Sequence, residues 1–228
     1  MPVFLLIRHG ETDYNKKMRL PGRLPDVHLN KKGRQQAQTL AETLAKAPIK
    51  AIYSSPLERT METASPLAVY LKLSVIPLPG LLETDCGEWQ GKYVRRLRRQ
   101  KIWKSVQLHP TLFRFPGGET IVDCQYRMVQ VCETLRRDYH DQDLVACFSH
   151  ADPIKQVVAF YLGLPLDNFQ RMSIDTASIT ALLVTEAGSR LLLLNSNPSF
   201  TWDSLASASR PTQKSSAKPG AKLPAPYA

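Results

Sequence analysis

Short apolar runs recur along the chain, and between them apolar residues fall at helical spacing. "VFLLI" (3–7) reads as a buried strand, followed by a long loop rich in Pro, Gly and Asp. "NKKGRQQAQTLAETLAKA" (30–47) reads as a helix with Asn30 as its cap. "AIYSS" (51–55) is a second strand. It leads into a helix for which Ser55 offers the cap, Pro56 the first position and Glu58 the other half of a capping box. Pro66 is expected to break or kink that helix. "SVIPL" (74–78) is a third strand. Residues 120–139 form the clearest amphipathic helix, with Ile121, Val122, Met128, Val129, Cys132 and Leu135 on one face. "LVACF" (144–148) is a fourth strand, "ADPIKQVVAFYLG" a further helix, and residues 178–195 a hairpin with a Gly-containing turn. This alternation predicts an α/β layered domain with a mostly parallel sheet over residues 1–197. From about Pro198 the pattern stops. Residues 198–228 are rich in Ser, Ala, Pro and Lys, bury too little to offset ordering entropy, and are expected to be a disordered tail.

Composition narrows the function classes. A chain of 228 residues, 43% of them hydrophobic, can bury one substantial core. The net charge of +10 is concentrated: residues 89–118 hold eight Lys/Arg and no Asp/Glu, and the last 28 residues hold four basic groups against Asp203. A uniformly basic nucleic-acid binder is therefore not expected, and no aromatic-interleaved RNA motif is present. "KYVRRLRRQKIWK" (92–104) reads either as a solvated helix face or as a local positive field for an anionic substrate. No apolar stretch approaches the roughly 18 residues of a membrane span, and no basic stretch precedes the opening apolar run, so no membrane contact and a cytoplasmic location are expected. The cysteines at 86, 124, 132 and 147 form no C-x-x-C pair and the five histidines are dispersed, so neither a zinc site nor a disulfide framework is expected.

Ligands of open α/β sheets gather beyond the carboxyl ends of the strands. Three such ends carry reactive or cationic residues: Arg8–His9–Gly10–Glu11, Ser54–Ser55 with Arg59 one turn later, and Ser149–His150. A single histidine or arginine at such a place is ordinary. Two of each, brought to one sheet edge, would make an anion site, and arginine forks match phosphate oxygens.

The motifs at these ends resemble the histidine phosphatase superfamily, also called phosphoglycerate mutase-like. "RHGETDYN", "LNKKGRQQA", "IYSSPLERTMETA", "LLETDCGEWQGK", "FPGGET" and "FSHADPIK" match its signatures in order, across roughly residues 3 to 195. The resemblance implies a three-layer α/β/α sandwich whose mostly parallel central sheet has an antiparallel edge strand. It implies that His9 is the nucleophile, attacking phosphorus through an unprotonated ring nitrogen to form a phosphohistidine. Arg8, Arg59 and Asn15 match the phosphate-binding side chains, and His150 the second histidine that contacts the transferring group. Glu83 matches the proton donor, although on chemistry alone Asp85 or Glu88 could serve. Met18, Arg19 and Arg23 are expected to border the pocket. Neither metal nor cofactor is implied.

The insert between Glu83 and the "PGGE" turn is short for a glycolytic mutase, and its stretch "IWKSVQLHPTLFRFPGGE" is similar to a subgroup of probable phosphomutases and broad-specificity phosphatases. The expectation is a phosphomonoesterase acting on a small anionic phosphate ester, with a phosphomutase and a non-catalytic phosphate-binding module as alternatives. A dimer is allowed but not required.

Overall fold

A computed structural model describes residues 2–140 and 143–197. The predicted tail, 198–228, lies outside them. In chain order the elements are β1 (Val3–Arg8), α1 (Asp13–Lys16), α2 (Lys31–Leu44), β2 (Ile49–Ser54), α3 (Glu58–Leu71), β3 (Val75–Pro77), α4 (Val94–Leu97), α5 (Trp103–Leu108), α6 (Ile121–Asp138), β4 (Leu144–Ser149), α7 (Ala151–Tyr161), β5 (Ile179–Thr185) and β6 (Gly188–Ser196). Short 3-10 turns join several of them.

The six strands form one sheet in the order β3-β2-β4-β1-β5-β6. β3, β2, β4 and β1 run parallel, while β5 and β6 are antiparallel to their neighbours. The expected antiparallel strand is β5, which runs against the other five, and the β5–β6 hairpin adds to the sheet as a unit.

Alternation along the inner strands divides the core. Phe4 and Leu6 of β1, with Val145 and Cys147 of β4, pack under α6 and α7. Leu5 and Ile7, with Ala146 and Phe148, pack under α2 and α3 on the opposite face. Each such large side chain contributes about 1.5–3 kcal/mol, and burial on both faces explains the unbroken apolar runs. A third cluster, centred on Trp89, Phe113, Phe115 and Phe169, gives the region between β3 and α6 its own small core.

Helix starts follow local chemistry at α2 and α6, as also at α1, where Thr12 forms a capping box with Asn15. Asn30 accepts from the Gly33 N–H at the head of α2, and Thr120 forms a reciprocal capping box with Asp123 at the head of α6. α3 departs from expectation: it begins at Glu58 with Leu57 as an N-cap that makes no side-chain bond, so Ser55 is not the cap. It also runs unbroken through Pro66, which stands half-buried on the outer side. Val122, expected on the apolar face, is 41% exposed, whereas Cys124 is buried beside Ile121 and Met128. The basic stretch 92–104 is not one helix but contains α4 and the start of α5, joined by turns.

The loop after β1 is pressed against the head of α2. A Cβ on Gly33 would stand 2.1 Å from the Glu11 carbonyl oxygen, and one on Gly10 2.7 Å from the Gly33 oxygen. Only glycine permits that approach. Gly33→Ala is expected to cost about 3 kcal/mol, read as a lower denaturation midpoint; an unchanged midpoint would mean that the loop yields freely.

Candidate active site

Sheet register places the site. Arg8 at the end of β1 pairs with Ser149 at the end of β4, so the residues that follow, His9 and His150, emerge side by side. The His9 N–H donates to the Ser149 carbonyl (3.1 Å), and the two imidazole rings stand 5.2 Å apart, centre to centre. β2 flanks β4 on its other side and delivers Ser55, whose N–H donates to the Phe148 carbonyl (2.9 Å).

Both histidines are buried, and hydrogen bonding assigns their protons. His9 Nδ1 lies 2.7 Å from the Gly10 carbonyl, which can only accept. Nδ1 therefore carries the hydrogen and Nε2 the lone pair. His150 Nδ1 lies 3.3 Å from Arg59 Nη2, which can only donate, so its Nε2–H faces Ser55 Oγ at 3.0 Å. Burial pushes the pKa of each ring well below the usual histidine value, and the charges of Arg59 and Arg8 push the same way. Both rings are neutral at physiological pH.

Arg59 is fully buried in the first turn of α3. Its Nη2 donates to the Gly22 carbonyl at 2.7 Å, while Nε and Nη1 have no hydrogen-bond partner among the described residues. Arg8 donates from Nη1 to the Ile174 carbonyl (2.6 Å), and its buried Nε is likewise unpartnered. Guanidinium N–H groups left unmatched in a dry site are costly, and an anion at this place would satisfy them.

Glu83 is the carboxylate that reaches this group, with Oε2 3.9 Å from His150 Nδ1. Asp85 instead accepts from the Gly87 N–H (2.9 Å), and Glu88 is exposed. Burial, and next the charge of Asp152, raise the Glu83 pKa to about 7, against the opposing pull of Arg59 and Arg8. Its main chain is held firmly: the Glu83 carbonyl accepts from Arg23 Nε (2.8 Å). Glu119 Oε1 in turn accepts from Arg23 Nη2 (3.0 Å), Arg127 Nη2 (2.9 Å) and the Asp85 N–H (2.9 Å).

The structure thus assembles Arg8, His9, Arg59, Glu83 and His150. No bond joins Asn15 to them: its Oδ1 accepts from the Thr12 N–H and Oγ1 in a capping box, and its Nδ2 donates to nothing among the described residues. Sequence reasoning missed Ser55 as the partner of His150, and it missed Arg127 and Glu119. The "FPGGET" turn flagged Glu119, but nothing marked Arg127 among the polar positions of α6. Among the described residues, no group of three or more His, Cys, Asp or Glu is placed to hold a metal ion.

The sequence model of the histidine phosphatase superfamily (branch 1) matches residues 4–197, and the chain belongs to that superfamily. It is 31% identical over 197 residues to phosphoserine phosphatase 1 of Hydrogenobacter thermophilus, covering 86% of this chain and 92% of that one. A mycobacterial glucosyl-3-phosphoglycerate phosphatase, solved with VO3, superposes with a TM-score of 0.77 at 30% identity, covering 86% and 99% of the two chains. Phosphoserine phosphatase of Entamoeba histolytica, solved as a mutant with phosphoserine, gives 0.78 at 26% identity, covering 86% and 98%.

Proposed function

We propose that this chain is a phosphomonoesterase that hydrolyses a small anionic phosphate ester through a phosphohistidine at His9. The observation that carries the reading is a buried Arg59 with two unpartnered nitrogens in the same cluster as a neutral imidazole whose Nε2 lone pair is uncommitted. The phosphatase relatives support the same chemistry.

Arg8, Arg59 and Asn15 hold the phosphoryl oxygens. His9 Nε2 attacks phosphorus, the P–N bond forms as the ester P–O bond breaks, and the departing alkoxide takes its proton from Glu83. The Glu83 carboxylate then removes a proton from water as that water displaces His9, releasing phosphate and restoring both groups. The incoming dianion offsets the charges of Arg8 and Arg59 and so raises the basicity of His150, which can then give an N–H to a phosphoryl oxygen. Charge stabilisation and positioning suffice for this reaction without a metal. Four buried cysteines, all unpaired, suit the reducing cytoplasm.

The test is release of inorganic phosphate from phosphoserine, 3-phosphoglycerate and sugar phosphates with a chelator present. Turnover of at least one ester, unaffected by the chelator, is expected. Isomerisation of a phosphoglycerate without phosphate release would assign a mutase instead, and inertness toward every ester would leave a binding module.

A further inference from the structure

The motif "LNKKGRQQA" takes no direct part in the chemistry above, yet three of its residues, at the head of α2, grip the loop that carries His9. The Asn30 N–H donates to the Glu11 carbonyl (2.9 Å) and its Nδ2 to Glu11 Oε1 (2.8 Å). Gly33 leaves room for the same carbonyl to pass. Gln36, one turn further along the same face, receives the Glu11 N–H on Oε1 at 2.8 Å.

Gly10 stands between two peptide units, and both are held. The N–H of the first donates to Thr63 Oγ1 (2.9 Å), whose hydroxyl donates to the Arg59 carbonyl (2.6 Å). The second unit joins Gly10 to Glu11. Its carbonyl accepts the His9 Nδ1–H at 2.7 Å, and its N–H is the one that Gln36 receives. Gln36 Nε2 in turn donates to Thr176 Oγ1 (2.9 Å). Thr176 belongs to the loop whose Ala177 N–H donates to the Arg8 and His9 carbonyls, 3.1 Å each, and whose Ile174 carbonyl accepts from Arg8 Nη1. Gln36 therefore ties the peptide on one side of His9 to the loop on the other.

The position of that bond matters for the nucleophile. An amide plane held at its N–H keeps its carbonyl in one direction, and the bond at the N–H strengthens the carbonyl as an acceptor. Gly10 has no side chain to resist turning of the plane. Were it to turn, an N–H would face His9 Nδ1, the ring hydrogen would move to Nε2, and the lone pair would leave the nitrogen that attacks phosphorus. The same carbonyl gains importance during the reaction. As Nε2 bonds to phosphorus the ring takes on positive charge, and an aligned acceptor on Nδ1–H stabilises it.

We propose that Gln36 is a positioning residue for phosphoryl transfer, fixing through the Gly10–Glu11 peptide the His9 tautomer that keeps the lone pair on Nε2. This rests on the phosphatase reading above and assigns to that reaction a side chain that touches neither ester nor imidazole.

The test compares two variants. Gln36→Met keeps the length of the side chain without a comparable acceptor, whereas Gln36→Glu keeps an oxygen for the Glu11 N–H. Gln36 is half-buried, and thermal melts should show both variants folded. In Gln36→Met, kcat on an alkyl phosphate is expected to fall about 10²-fold with KM within about threefold, because Arg8 and Arg59 still bind the ester. Gln36→Glu should return kcat to within about fivefold of the unaltered chain. Histidine-selective 15N spectra read the tautomer without turnover, the His9 signals being assigned by their absence in His9→Ala. The unaltered chain and Gln36→Glu should show Nδ1–H and a bare Nε2, and Gln36→Met a large share of Nε2–H. Full activity in Gln36→Met, a loss carried by KM, no recovery in Gln36→Glu, or an unchanged Nδ1–H signal in Gln36→Met would each overturn the proposal. The spectra also separate it from the phosphatase reading. If the chain hydrolysed no ester, a tautomer shift in Gln36→Met that Gln36→Glu reverses would still uphold the hold of Gln36 on His9, and an unshifted signal would remove it.

Discussion

His9→Ala is expected to lower phosphate release by about 10⁴-fold or more while leaving substrate binding within a few-fold. In the proposed mechanism the imidazole makes the first new bond to phosphorus, ahead of the water that later displaces it. Its orientation comes from the Nδ1–H bond to the Gly10 carbonyl at 2.7 Å, and its nucleophilicity from the lone pair that this bond leaves on Nε2. Water could replace it only by direct attack, without the covalent path that divides the reaction into two easier steps. The cations of Arg8 and Arg59 remain in the variant, so affinity for the ester should persist. Loss of a buried ring costs about 1–3 kcal/mol of stability, which a thermal melt run in parallel will register. Acid-quenched reactions supply a second readout: the unaltered protein should carry phosphate on histidine and the variant should not. Retention of more than about a tenth of the activity would remove His9 from its role.

Glu83→Gln is expected to separate substrates by leaving group. An alkyl ester needs a proton on its departing oxygen and should slow by about 10³-fold, whereas an activated aryl ester needs none and should slow by less than about tenfold. Equal losses on the two would direct attention to another acid. The pH profile follows from the same group. A carboxyl raised to about 7 by burial is a competent acid below that pH, so kcat/KM on alkyl esters should fall about tenfold per unit above it. The acid-side limb, set by His9, lies well below the usual histidine value because burial and two guanidinium charges disfavour the imidazolium.

Glu83 also links pH to stability. Because its carboxyl binds a proton more tightly in the folded chain than its ordinary value of 4.5 would allow, stability from this group is complete below about 4.5 and is lost as pH rises through about 7. The glutamine variant escapes that cost. It should be more stable than the parent at pH 8, by up to about 3 kcal/mol, and indistinguishable at pH 4. A less stable variant at pH 8 would show that the carboxylate is a net structural asset there.

Much of this protein was legible locally. Strands β1, β2 and β4, the cap at Asn30 and the buried face of α6 follow from spacing and from the chemistry of neighbouring residues. So does the placing of Arg8, His9, Arg59 and His150 near strand ends, and the order of the motifs carried the fold with them. Misreadings arose where a local signal met a distant competitor. Ser55 has every local qualification for an N-cap, yet its hydroxyl lies 3.0 Å from the imidazole of His150, 95 residues away. Val122 sits at the margin of the apolar face of α6, where periodicity alone cannot fix burial.

What the sequence determined by itself is the inventory: which segments are strands, which residues stand at their ends, and that two histidines and two arginines are available there. What the tertiary structure decided is their meeting. The pairing of Arg8 with Ser149 sets His9 beside His150, and the clamp of Arg23, Glu119 and Arg127 fixes Glu83 nearby. The reason is one of range. Alternation, caps and turns are settled over a few residues by backbone geometry, but register and side-chain convergence depend on contacts between segments many tens of residues apart, formed only when the whole sheet closes.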